Sequence, residues 1–233
     1  MPFPSSILVP LIHWQIRRMN RGFPTQHSPF RRTRTAPNVQ RREAFEDLWQ
    51  STLARGVPNA LIDYHLPYPK IDFLHYLCDD LGYVAHGSPR ADLEVLQPIR
   101  LTGDTTEFGK REQIFASPDA VWAAWFAILD KRRMRMTNNG CIRIGAYGSN
   151  WTKIYYFMLP KEGKEPANRP LTDGMIYIAR AEDFPHHRPS PAPAWMGIDV
   201  EEWGSTQPVT PLARLPFAVA DFPYLDRVEF VLG

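Results

Sequence analysis

Past Gly140 the apolar residues of this chain fall into short runs, at 141–144, 153–159 and 175–179, with proline- and glycine-containing loops between them. Runs of that length bounded by turn residues read as strands, and stretches near 208–215 and 227–232 read the same way. Ahead of Gly140 the spacing is helical. In residues 43–55, Phe45, Leu48, Trp49 and Leu53 share a face, and Gly56 and Pro58 stop the helix. Residues 71–81 repeat the pattern with Phe73, Leu74, Leu77, Cys78 and Leu81, closed by Gly82. A third helix is expected over 119–131, entered through Ser117-Pro118-Asp119 and carrying Val121, Trp122, Trp125, Phe126 and Leu129 as a heavy core face. Two short strands, 83–88 and 113–116, lie between these helices. Segregated helices and strands predict an α+β fold rather than a doubly wound sheet.

Charge divides the chain. The formal total is +2 from 27 basic and 25 acidic residues, yet residues 1–42 hold eight arginines and no Asp or Glu, which leaves 19 basic against 25 acidic in residues 43–233. The division predicts a basic, disordered arm over 1–42 and one domain over 43–233, Pro24, Pro29 and Pro37 discouraging a regular helix in the arm. Such an arm can attract nucleic acid by long-range Coulomb forces, or can simply be a solvated tail.

Cys78 and Cys141 make no disulfide framework and have no metal-like spacing, so reduced thiols and a cytoplasmic location are expected. The apolar start at 7–16 is short, is broken by Pro10 and His13, and precedes its arginines, which makes a poor secretory signal, while its arginine-rich, acid-free character also suits an organelle transit peptide. No stretch approaches the roughly 20 apolar residues of a membrane-spanning helix, and no membrane partner is expected. His75 and Asp79, four apart on a helix, and the adjacent His186-His187 lack further ligands and read as helix-supporting and solvent-facing groups rather than a metal site. The chain has no GxGxxG, GxxxxGK, HExxH or GxSxG, and no repeats.

What remains is an ordered constellation: a strand ending in His86-Gly87-Ser88, the segment Phe108-Gly109-Lys110-Arg111, a strand with Phe115 leading into a helix, Ile176-Tyr177-Ile178, and the acidic segment Asp199-Val200-Glu201-Glu202-Trp203-Gly204-Ser205-Thr206-Gln207-Pro208-Val209. In this order it resembles the ADP-ribosyltransferase superfamily over residues 83–216, with its closest likeness to the bacterial rifamycin ADP-ribosyltransferases. The resemblance implies a split β-sandwich with flanking helices, NAD as co-substrate, and transfer of ADP-ribose to an acceptor with release of nicotinamide. It implies that His86, Gly87 and Ser88 hold the dinucleotide, that Phe115 stacks on nicotinamide, and that Lys110 and Arg111 meet its phosphates or a charged acceptor.

The chemistry agrees with those roles. Breaking the nicotinamide bond develops positive charge on the ribose, which a nearby carboxylate stabilises. Glycine admits close backbone approach, and His86 can hydrogen-bond a ribose hydroxyl. Phe115 can stack as a tyrosine would but offers no hydroxyl. Two registers compete for the carboxylate, an acid elsewhere such as Glu229 being the remaining option. If the acidic pair begins the strand, Glu202 or Glu201 occupies the catalytic position. If the Ser-x-x-Pro pattern of the rifamycin enzymes is matched, that position falls on Gln207, whose neutral amide cannot stabilise an oxocarbenium ion. The second register implies a non-catalytic module that keeps the fold and binds NAD or nucleic acid. A third reading, an RNA-processing transferase of similar fold, would need several basic residues around a phosphate, for which Lys110 and Arg111 are the only support.

Overall fold

The computed structural model describes residues 5–19, 29–33, 38–99, 104, 106–133, 138–145, 151–165 and 169–231. The expected α+β character is present: among the described residues there are four α-helices and several sheets, mostly antiparallel, none of them closed into a barrel. No helix among the described residues is long and apolar enough to cross a membrane.

The strand-rich second half supplies most of three sheets. Strand β6 (Thr152–Pro160) is the axis of the first. Antiparallel β5 (Asn139–Ile144) lines one edge of it and carries β9 (Ile198–Val200) beyond. The other edge is shared end to end by β1 (Phe30–Thr33), paired with residues 152–155, and β12 (Val228–Val231), paired in parallel with residues 157–160. The second sheet has the order β2 (Ala60–Leu61), β11 (Ala213–Phe217), β7 (Gly174–Ala179), β3 (Val84–Ser88). The third places β10 (Trp203–Ser205) between β4 (Ile114–Ala116) and β8 (His186–His187).

Helix α2 (Val39–Leu53) starts four residues before the expected residue 43, because Asn38 accepts the Arg41 N–H at 3.3 Å as N-cap. The second helix spans nearly the expected residues, 70–80, but is not α-helical throughout. It is α-helical only at α3 (Lys70–His75) and continues as one π turn over Tyr76–Asp80, with Leu81 N donating to Tyr76 O across five residues. The wider turn rotates Leu81 out to solvent while Phe73, Leu74, Leu77 and Cys78 stay buried. Helix α4 (Ala120–Ile128) is capped by Asp119 rather than Ser117: Asp119 Oδ1 accepts the Trp122 N–H at 2.7 Å. Almost every residue of α4 is buried, and Trp122 and Trp125 pack on Phe157 of β6.

The disordered arm expected over 1–42 is corrected wherever those residues are described. Residues 5–19 form helix α1, whose Leu8, Val9, Ile12 and Ile16 are buried against Ile144, Ile154 and Ile198 of the first sheet. This covers a sheet face that would otherwise be wet, and burial of that kind outweighs a basic composition. The prolines cited against a helix, Pro24, Pro29 and Pro37, all fall outside α1; Pro24 and Pro37 lie outside the described residues.

β1 carries more than backbone pairing. Its Arg32 enters a buried charge network, donating to Asp79 Oδ2 at 2.9 Å and to Asp119 Oδ2 at 3.2 Å. Asp119 Oδ2 also accepts from Lys153 Nζ at 2.9 Å and from Tyr155 OH at 2.7 Å. Lys153 reaches Glu201 Oε2 at 3.0 Å, and Arg143 Nε donates to Glu201 Oε1 at 2.8 Å. Trp151 stacks under both Arg32 and Lys153. Three cations thus face three largely buried carboxylates. Burial opposes the charge on Asp119, but Lys153 and Arg32 outweigh it and hold the carboxyl below its ordinary range. His75, expected to be a surface or helix-supporting group, is largely buried 3.6 Å from Asp79, and burial followed by the Arg32 charge depresses its pKa to about 3, so it stays neutral.

Removing one charge from such a network leaves its partners buried and uncompensated. Asp119→Asn should destabilise the protein by about 3 kcal/mol at neutral pH, measured by urea unfolding. A loss under about 1 kcal/mol would show that the network is solvated like a surface pair.

Candidate functional site

The second and third sheets meet where His86 approaches β4. Ala85 and Ser117 exchange backbone hydrogen bonds at 2.8 and 2.9 Å, and His86 Nδ1 lies 2.6 Å from the Phe115 carbonyl oxygen. A carbonyl only accepts, so Nδ1 carries the proton and Nε2 is left as a lone-pair acceptor. Burial pushes the imidazole pKa down to about 4; the Phe115 bond opposes this and the Lys131 charge adds to it. His86 is therefore a neutral acceptor near pH 7, suited to a hydroxyl donor.

β10 runs beside β4 with Gly204 opposite Phe115, which places the acidic pair at the strand entrance. The two glutamates part there. Glu201 turns into the interior, 1% exposed, between Arg143 and Lys153. Glu202 stays partly accessible, its Oε2 accepting from Arg188 Nε at 2.6 Å. Arg188 also pairs with Asp104 and lies 5.1 Å over the ring of Phe108, which in turn meets Phe115 edge to face at 5.8 Å. Burial raises the Glu202 pKa above its ordinary value, with Arg188 opposing. Gln207 sits exposed in the turn after β10, where its backbone N–H and carbonyl close on the Ser205 hydroxyl.

Sequence reasoning missed Lys131, just past the end of α4. It reaches solvent, yet burial lowers the pKa of its ammonium, and its charge is felt at both Glu202 and His86. Its Nζ lies 4.6 Å from the centre of the Phe126 ring. No spacing rule links residue 131 to 86 or 202, so only the fold reveals it. Gln113 was also missed. It is buried beneath Gly204, where any β-carbon would lie 2.2 Å from its amide oxygen, and its Nε2 donates to Phe108 O at 2.8 Å. That amide sets the spacing between β10 and the Phe108 loop.

Other expected site residues have structural duties in this arrangement. A β-carbon on Gly87 would lie 1.9 Å from the Ala123 carbonyl oxygen and 2.6 Å from Ala127 N, so α4 requires a glycine there whatever else its backbone meets. Ser88 accepts the Arg90 N–H at 3.2 Å, shaping the turn out of β3. Lys110 pairs with Glu107 at 3.2 Å and is exposed, as is Arg111. Gly109 leaves room for Asp104, whose carboxylate holds Arg188. His187 does not simply face solvent, being stacked on Trp203 with centroids 4.0 Å apart. Among the described residues no group of three or more His, Cys, Asp or Glu could hold a metal.

The site thus gathers a neutral imidazole acceptor, an aromatic ring, the partly accessible carboxylates of Glu202 and Asp104, and two cations. Because the folded pKa of His86 lies below its ordinary 6.5, the unfolded chain binds the extra proton, and the resulting loss of stability grows as pH falls from about 6.5 towards 4. Proton NMR should find the His86 imidazole titrating near pH 4, and a midpoint above 6 would remove the neutral-acceptor geometry. No protein-family model matches the chain, and neither curated proteins nor solved structures give a match, so the functional reading rests on this geometry.

Proposed function

We propose that this chain binds NAD at the junction of β3, β4 and β10 and acts as an ADP-ribosyltransferase, releasing nicotinamide and passing ADP-ribose to an acceptor nucleophile. The observation that carries the reading is the approach of His86 on β3, Phe115 on β4 and Glu202, the residue just before β10, in the order that the motifs imply for a split β-sandwich of this class. His86 Nε2 accepts a ribose hydroxyl. Phe115 offers a face for the nicotinamide ring. Glu202 supplies the negative charge next to the developing oxocarbenium ion. Lys131 and Arg188 give the dinucleotide phosphates their counter-charge, a role for which exposed Lys110 and Arg111 are less suited.

Of the three positions that the two registers offer for the carboxylate, Glu202 is favoured, since Glu201 is neutralised in the interior and Gln207 lies beyond the strand. The free, buried thiols of Cys78 and Cys141 support a reducing, cytoplasmic setting. A non-catalytic NAD-binding module is the second reading. It is favoured by the Arg188–Glu202 pair, which keeps the carboxylate occupied unless substrate displaces the guanidinium.

Calorimetric titration of NAD with nicotinamide release followed in the same samples distinguishes the two. His86→Ala should weaken NAD binding by at least about tenfold, the equivalent of one lost hydrogen bond. Glu202→Gln should leave binding within about threefold and lower nicotinamide release by about a hundredfold or more. Wild-type binding without release favours the module, and no binding at millimolar NAD sinks both readings.

A further inference from the structure

Helix α1 is apolar on two sides. Leu8, Val9, Ile12 and Ile16 pack on the first sheet, while Ile7, Leu11 and Trp14 form a second stripe at i, i+4 and i+7 and are 55%, 50% and 54% exposed. Exposed apolar side chains scattered singly need no explanation, but three on successive turns of one helix do. The stripe runs into basic residues at the C-terminal end of the helix. Arg18 lies 5.2 Å over the Trp14 ring, and both Arg17 and Arg31 are close enough to His13 for their charges to bear on it. No acidic residue occurs before Glu43, and Asp199, beside Ile198 of the strand under α1, is paired with Arg143. Trp195, 56% exposed, lies on the turn whose Met196 packs into the same apolar cluster.

We propose that the outer face of α1 docks on an anionic phospholipid surface, with Ile7, Leu11 and Trp14 entering the headgroup boundary and Arg17, Arg18 and Arg31 meeting lipid phosphates. Charge complementarity and amphipathy together select this occupant. A nucleic acid backbone would satisfy the arginines but return nothing for burying Leu11 and Ile7, whereas the membrane interface accommodates aliphatic side chains, an indole and snorkelling arginines at once. The inner face is fixed to the sheet, so the helix can sink only to the depth of its outer stripe, and binding must be reversible and dependent on lipid charge. The expectation of no membrane partner considered spanning segments only. Surface docking needs none, and it is independent of the NAD reading.

Co-sedimentation of the full chain with vesicles tests this. The protein should pellet with phosphatidylcholine vesicles containing about one-third phosphatidylserine, not with pure phosphatidylcholine, and should be released as salt is raised. Leu11→Ser/Trp14→Ser, both exposed, should keep the circular dichroism spectrum and lose at least about tenfold in partitioning. Arg17→Gln/Arg18→Gln, a second variant that leaves the apolar stripe intact, should lose about fivefold per charge. The proposal is overturned if wild type ignores anionic vesicles, or if the apolar variant binds them as tightly. It is equally overturned if sedimentation equilibrium shows a dimer that the apolar variant dissolves, or if the patch binds an oligonucleotide instead of vesicles.

Discussion

The carboxylate of Asp119 is the point at which the layers of this protein are tied together. One oxygen caps α4, and the other is shared by Lys153 and Tyr155 from the central strand and by Arg32 from the edge strand. Ionised carboxylates of this depth persist only when their charge is met on several sides. Each partner meets a second requirement as well: Lys153 neutralises Glu201, and Arg32 neutralises Asp79 in the π turn. Helix α4, the first sheet, the π turn and the entrance of β10 therefore take their positions from one electrically balanced cluster. The placement of the acidic pair follows. With Glu201 drawn inward, the next residue, Glu202, is left beside the surface that His86 and Lys131 share.

Close packing completes what charge begins. Gly87 and Gly174 both let the backbone of α4 sit against the second sheet at distances no side chain would allow. That contact brings the end of α4, and with it Lys131, towards the strand bearing His86. His86 and Lys131 are thus held by elements whose own positions are fixed by steric and electrostatic demands.

Much of this was legible in the sequence and some was not. The helical stripe through Phe45, Trp49 and Leu53 and the aromatic face of α4 announce themselves by local periodicity, as do the strands after Gly140. His86 and the acidic pair stood out because short motifs preserve order along the chain. Helix α1 and strand β1 were hidden by composition: eight arginines without an acid read as a solvated arm, while Leu8, Val9, Ile12 and Ile16 already carried helical spacing. Arg32 looks in sequence like its exposed neighbours, and nothing local says that it is buried against residues 79 and 119. Which of Glu201 and Glu202 turns inward was equally out of reach, since it depends on cations at 143, 153 and 188. Gly87 was legible as a position that tolerates no side chain, but the reason came from α4, a partner that one strand cannot name.

The shared edge of β6 has a kinetic consequence. β1 and β12 lie end to end on it, though they come from opposite ends of the described chain, and β12 pairs in parallel. Pairings of such long sequence separation form late, after the entropy of closing the loop between them has been met. Until they do, the central strand presents open hydrogen-bonding groups along its whole length and the Asp119 cluster lacks its Arg32. Before those pairings form, the open edge of the central strand and the uncompensated charges of the cluster are exposed together. Edge-to-edge self-association is thus a hazard of assembly rather than of the finished fold.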